Sequence, residues 1–183
     1  NHDAIITMLD LVSKDQIVLM PTTNSAYGTG DESNFCDENS PLNPISSYAI
    51  EKVEVEKHLM ERENSVSFRL ATVFGMSPRM RLDLLVNDFT YRAVKDRAVV
   101  LFESHFKRNY VHVRDVSRVF LHGLNNIDKM RGEIFNVGLS SANVSKKELC
   151  EAIQKHVDGF VFTEAKIGKD PDQRNYLVSN AKL

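Results

Sequence analysis

The chain has 183 residues, 42% hydrophobic and 26% charged, the ordinary balance of a globular protein large enough to bury one sizeable core. A formal charge of -2 gives no general attraction to nucleic acid, and no local basic patch stands out. With no apolar run of about 18 residues and no N-terminal leader pattern, the sequence predicts a cytoplasmic protein without a membrane segment.

Residues 3–13 carry apolar side chains at helical spacing, and residues 16–20 form a short apolar run of the kind found in a strand buried on both faces. A loop over 22–43, rich in Asn, Ser, Asp and Pro, leads to Pro44, which suits the first turn of a helix running to about residue 62. The strand candidate 67–73 follows. Residues 16–73 thus predict a strand, a crossover helix and a parallel, right-handed return. Beyond it come a helix at 82–96, strands at 98–102 and 109–113, a helix at 115–125 and a strand at 133–137. The run Ser145 to Glu148 predicts a capping box that opens a helix ending near residue 156, and 159–165 is a last strand. Residues 179–183 look like the start of another helix. The alternation predicts an α/β fold on a parallel sheet, and both ends of the chain look cut, since it opens on a helix with no strand before it.

Cys36 and Cys150 have no second thiol or ligating His nearby and are expected as reduced thiols. The six histidines show no metal-ligand spacing, so no metal is expected. The sharpest chemical motif is Tyr48 followed by Lys52. Four residues on a helix bring the phenol and ammonium to one face, where a positive charge favours the phenolate form that can accept a proton. Tyr91 and Lys95 have the same spacing, so the pattern alone is weak. Context separates them: a buried strand ending in Pro21-Thr22-Thr23 precedes Tyr48 and puts hydroxyls at the carboxyl end of a strand, where open α/β sheets bind ligands. Tyr91 has no such neighbour and is expected on a solvated helix face.

Two hydroxyl residues ahead of Tyr27-Gly28, then Tyr48-x-x-x-Lys52, resemble the extended short-chain dehydrogenases/reductases, which include the nucleotide-sugar epimerases and dehydratases. Arg69-Leu-Ala-Thr-Val-Phe-Gly75, Arg108-Asn-Tyr-Val-His-Val-Arg-Asp115 and Gly132-Glu-Ile-Phe-Asn-Val-Gly138 resemble further motifs of that family, in order. The resemblance implies a Rossmann-like doubly wound parallel sheet, incomplete at its first strands, with a smaller C-terminal substrate-binding α/β lobe. Residues 1–75 would be the C-terminal half of the NAD-binding domain; residues 76–183 would be mainly the substrate lobe, with 109–138 returning to the Rossmann domain.

The resemblance also implies roles. Tyr48 would be the general acid/base, Lys52 would hold the nicotinamide ribose, and Thr23 would share a hydrogen bond with the reacting sugar oxygen. Thr22 would join Tyr48 and Lys52 in binding the cofactor, NAD, with NADP left open. Thr72, Arg108 and Arg174 would bind the partner, a nucleotide-diphosphate sugar, the arginines through its diphosphate. A homodimer through helices 3–13 and 44–62 is expected; Ile6, Val53 and Met60 are compatible with it and with an ordinary core. Asn24 and Ser25 depart from the family, standing where its dehydratases have an Asp-Glu pair. Neither shuttles a proton at neutral pH, which favours an epimerase or reductase. Many relatives have Asn where Thr72 stands. The glycine-rich turn for the cofactor pyrophosphate is not in this sequence, and Gly28-Thr-Gly30 reads as an ordinary turn. The expected function is an NAD-dependent nucleotide-sugar epimerase, with a reductase/dehydrogenase or a non-catalytic sugar-nucleotide-binding protein as alternatives.

Overall fold

A computed structural model describes residues 2–29, 35–168 and 174–183. Helix α1 (His2–Leu11) leads to strand β1 (Val18–Thr23), a 3-10 turn over Asn24–Tyr27, the short strand β2 (Phe35–Cys36) and helix α2 (Ser47–Leu59). Then come β3 (Ser65–Leu70), β4 (Thr72–Phe74), α3 (Leu85–Lys95), β5 (Ala98–Leu101) and β6 (Lys107–His112). Helices α4 (Val113–Asn125) and α5 (Ile127–Met130) precede β7 (Glu133–Val137) and β8 (Asn143–Ser145). Helix α6 (Lys146–Gln154), β9 (Val161–Glu164) and β10 (Leu177–Val178) complete the chain.

The fold is α/β and Rossmann-like. Its central sheet runs β1-β3-β7, all parallel, with Thr22 opposite Arg69 and Arg69 opposite Asn136. The expected strand, crossover helix and parallel return is therefore β1, α2, β3. Apolar clusters cover both faces of this sheet. Leu9, Met20, Val55 and Leu59 pack α1 and α2 on one side, and Val66, Phe68, Phe135 and Val137 pack against Phe120 of α4 on the other. A third cluster, with Phe89, Leu101, Tyr110, Cys150 and Phe160, joins α3, β5, β6 and α6. Ile6, Val53 and Met60 belong to the cores of the chain itself: Val53 is buried, and Ile6 and Met60 pack on the α1–α2 cluster.

Local chemistry explains most boundaries. Pro44 lies in the approach to α2; the cap is Ser46, whose hydroxyl accepts the Ala49 N–H at 3.2 Å. The capping box of α6 forms as expected. The Ser145 hydroxyl accepts the Glu148 N–H at 3.2 Å, and the Glu148 carboxylate accepts the Ser145 N–H at 2.7 Å, a bond that holds its pKa below the usual range. The expected strand 67–73 breaks in two. Ala71 still donates to Val137 O at 2.8 Å, after which Thr72–Phe74 leaves the central sheet to pair with β6. The sequence carries no mark of that transfer, because both halves are apolar and extended. Nor does it show β2, β8 and β10, each held by a partner distant in sequence. No helix begins at 179–183, where Ser179 donates to Cys36 O at 2.9 Å instead. Among the described residues no helix is long and apolar enough to cross a membrane.

Candidate active site

Successive strand residues point to opposite faces, so the hydroxyl pair at the end of β1 divides its work. Thr22 donates to Glu56 Oε2 at 3.0 Å and lies 2.9 Å from Ser67 Oγ, while Thr23 accepts the Ser25 N–H at 3.1 Å and caps the 3-10 turn. Both residues are buried. The hydroxyl of Thr22, expected at the cofactor, is thus engaged by Glu56 and Ser67. Tyr27 follows, its hydroxyl 2.7 Å from Asn136 Oδ1 and accepting from Arg69 Nη1 at 3.0 Å. Burial pushes this phenol up to about 12, so it stays neutral and serves as a corner post.

Helix α2 supplies Tyr48 and Lys52. The Lys52 ammonium donates to Pro21 O at 3.2 Å, which ties it to the strand that carries Thr23, and burial lowers its pKa from the ordinary lysine value. Tyr48 is 54% exposed, and its hydroxyl makes no hydrogen bond among the described residues, so it is available to a ligand. Tyr91 and Lys95 supply a useful contrast. There the ammonium sits 5.3 Å from the Tyr91 ring in open solvent, and bonding to that tyrosine raises the Lys95 pKa. Identical spacing leads to different partners: Lys95 turns to its own tyrosine, whereas α2 draws Lys52 onto a strand end.

Thr22, Thr23, Tyr48, Lys52, Thr72 and Arg174 all border one cavity of about 530 Å³. It opens at the carboxyl ends of β1 and β3, where α/β sheets place ligands. Arg174 donates to the Ser25 hydroxyl on the same wall. Arg108 does not border the cavity. It is buried in β6 behind Tyr176, its guanidinium 5.9 Å from that ring. Tyr176 and Arg81 also line the cavity, and neither was expected from the sequence. Arg81 is paired with Asp83 at 2.5 and 2.8 Å, which lowers the Asp83 pKa to about 2. A signal for both existed. Tyr176 lies two residues from Arg174, hence on the same side of an extended segment, and Arg81 follows a strand's carboxyl end. Among the described residues, lysine and arginine are the only ionisable lining residues besides tyrosine, a setting that suits an anionic ligand.

A sequence model of the family described as "NAD dependent epimerase/dehydratase" matches residues 1–138. A protein of Methanocaldococcus jannaschii that carries the provisional name UDP-glucose 4-epimerase is 29% identical over 168 residues, covering 85% of this chain and 52% of that protein. CDP-paratose 2-epimerase of Salmonella typhi is 23% identical over 175 residues, covering 88% of this chain and 52% of that protein. The chain spans about half the length of the curated relatives it matches. UDP-glucuronic acid 4-epimerase from Bacillus cereus, solved with UDP-glucuronic acid and NAD, superposes with a TM-score of 0.83 at 20% identity, over 100% of this chain and 59% of that one. dTDP-glucose 4,6-dehydratase from Bacillus anthracis, solved with NAD, gives 0.81 at 20% identity, over 99% of this chain and 60% of that one. At such identities the structural likeness shows a shared fold.

Proposed function

The chain belongs to the NAD dependent epimerase/dehydratase family, and on that premise we propose that it carries the acid-base residues of an NAD-dependent nucleotide-sugar epimerase working through a transient keto-sugar. What carries the reading is the meeting of Thr23, Tyr48 and Lys52 at one cavity, with Lys52 anchored to Pro21 O beside the threonine. The residues fit the nicotinamide end of the cofactor. Tyr48 presents an unengaged hydroxyl, and Lys52 keeps donors beyond its bond to Pro21.

The chemistry that NAD supplies when bound is reversible hydride transfer at a sugar carbon. Tyr48 takes the proton of the sugar hydroxyl as the ketone forms and returns it when the hydroxyl is rebuilt on the opposite face. Lys52 holds the nicotinamide ribose and stabilises the phenolate that Tyr48 is before it takes the proton and again after it returns it. Thr23 hydrogen-bonds the same sugar oxygen. Arg174 and Thr72 contact the sugar nucleotide, and Arg108 supports them from behind Tyr176. Asn24 is fully buried and Ser25 is bonded to Arg174, so neither position supplies the acid that elimination of water needs. This favours epimerisation over dehydration. Residues 1–75 with 109–138 form the cofactor side in this reading, and most of 76–183 the substrate side. Dimerisation would use α1 and α2, where Met8, Leu11 and Ile50 are exposed.

The test is to incubate the natural polypeptide with NAD and a panel of nucleotide sugars, following product stereochemistry by proton NMR and NADH by absorbance. A new epimer without net NADH, lost in Tyr48→Phe, is the expected result. Accumulating NADH would reassign the protein as a dehydrogenase, and binding without turnover as a non-catalytic binder.

A further inference from the structure

Tyr48, Lys52 and Glu56 form a single stripe on α2, four residues apart. The first two face the cavity; the third does not. Glu56 is 4% exposed and lies under β1, a place where a carboxylate survives only with a full set of donors. It has them. Oε2 accepts from Thr22 Oγ1 at 3.0 Å and from Ser67 Oγ at 2.6 Å, and Arg69, 3% exposed, closes on both oxygens, its Nη2 at 2.6 Å from Oε1. The remaining Arg69 nitrogen donates to Tyr27 OH and Glu38 O at 3.0 and 3.3 Å.

We infer that Glu56 and Arg69 are positioning residues, which fix the height of α2 along β1 and so set Tyr48 and Lys52 against Thr23. The inference rests on the catalytic reading proposed for those three residues. Its geometry is specific. Thr22 is covalently next to Thr23, and Ser67 and Arg69 are the β3 partners of Met20 and Thr22, so one carboxylate reads both strands at the level of the site. The apolar contacts of α2, made by Val55 and Leu59 with Leu9 and Met20, are side-chain contacts without a direction of their own and tolerate sliding. A bidentate guanidinium–carboxylate pair does not. Buried pairs of this kind add little net stability compared with apolar residues of like volume, whereas they hold register well. The retained pair is therefore explained by placement of the helix rather than by stability of the fold.

That contrast supplies the experiment. In the natural polypeptide, Glu56→Leu combined with Arg69→Met removes both charges together. A double variant with unchanged thermal unfolding is expected to lose about 10²-fold in turnover, the effect of an ångström-scale misplacement, with KM for the nucleotide sugar nearly unchanged. A second readout needs no activity: the Lys52 amine, followed by amine-specific labelling against pH, should shift upward toward the ordinary lysine value as a displaced helix relieves the burial that depresses it. A folded double variant with full turnover and an unshifted Lys52 would overturn the inference. Should the double variant fail to fold, Thr22→Val with Ser67→Ala removes two donors and keeps the ion pair. A smaller loss of turnover with the same Lys52 shift is then expected, and no change in either overturns the inference. Should the unmodified protein turn over no sugar, the catalytic reading fails, and the Lys52 shift alone still decides whether Glu56 and Arg69 position the helix.

Discussion

Replacing Gly28 by alanine tests how firmly the corner beneath the site is built. Gly28 has φ 66 and ψ -121, and an added Cβ would stand 1.8 Å from the Asn43 carbonyl oxygen, so that carbonyl must give by more than an ångström. The left-handed backbone costs a non-glycine residue roughly 1–2 kcal/mol. Displacing Asn43 also breaks its N–H bond to Ala26 O, 2.9 Å long, which adds about 1 kcal/mol. The sum, about 2–3 kcal/mol, is a factor of roughly 30–150 in the folding constant. Gly159 provides the control. Its φ is 73 and nothing lies within 4 Å of an added Cβ, so Gly159→Ala should show the backbone cost alone. Urea unfolding followed by far-UV circular dichroism measures both. The expected result is a larger loss for Gly28→Ala, together with reduced turnover, because Asn43 leads directly into the cap at Ser46 and then Tyr48. Equal losses for the two variants would refute the reasoning.

Other outcomes follow from the same geometry. Ser145→Ala should cost about 1 kcal/mol of stability by removing the cap of α6. Glu148 has a folded pKa below its unfolded one, so its contribution is present above about 4.3 and is lost as pH falls through the folded value. Glu148→Gln should therefore flatten the acid limb of a stability–pH curve, and an unchanged limb would contradict the capping box. Tyr27→Phe should cost roughly 1–3 kcal/mol by leaving buried Arg69 and Asn136 atoms without their partner, measured by chemical unfolding. The loss should be the same from pH 5 to pH 9, since the phenol, pushed up to about 12, does not titrate there. Tyr91→Phe with Lys95→Met should leave turnover unchanged, whereas Tyr48→Phe should lower it by about 10²–10⁴-fold; a comparable loss in both would remove the distinction drawn between the two motifs.

Much of this molecule is legible in its sequence because the deciding interactions are local. The periodicity of β1, α2 and β3, the box at Ser145 and Glu148, and the four-residue step from Tyr48 to Lys52 each depend on neighbours within a turn or two. Context also separated Tyr48 from Tyr91 correctly as to setting: one faces a cavity at a strand end, and the other faces solvent with its own lysine. What escaped was non-local. The break at Ala71 depends on Val137 and on β6, and the strands β2, β8 and β10 depend on partners brought in by the fold. Glu56 looks like an ordinary helix carboxylate until Arg69 and two strand hydroxyls are placed around it. Thr22 and Thr23 are expected at cofactor and sugar respectively, whereas strand alternation turns the Thr22 hydroxyl to Glu56 and Ser67, partners that only the fold brings in.

The most direct test of the proposed mechanism is to run the reaction of the natural polypeptide in deuterium oxide and examine the inverted carbon of the product by proton NMR. Return of the same hydride by the bound cofactor predicts an epimer that keeps its protium, with no net NADH. Deuterium at that carbon would instead mean that inversion proceeds by loss and regain of a solvent-exchanged proton beside the ketone, and would contradict return of the hydride to the opposite face of the oxidised carbon.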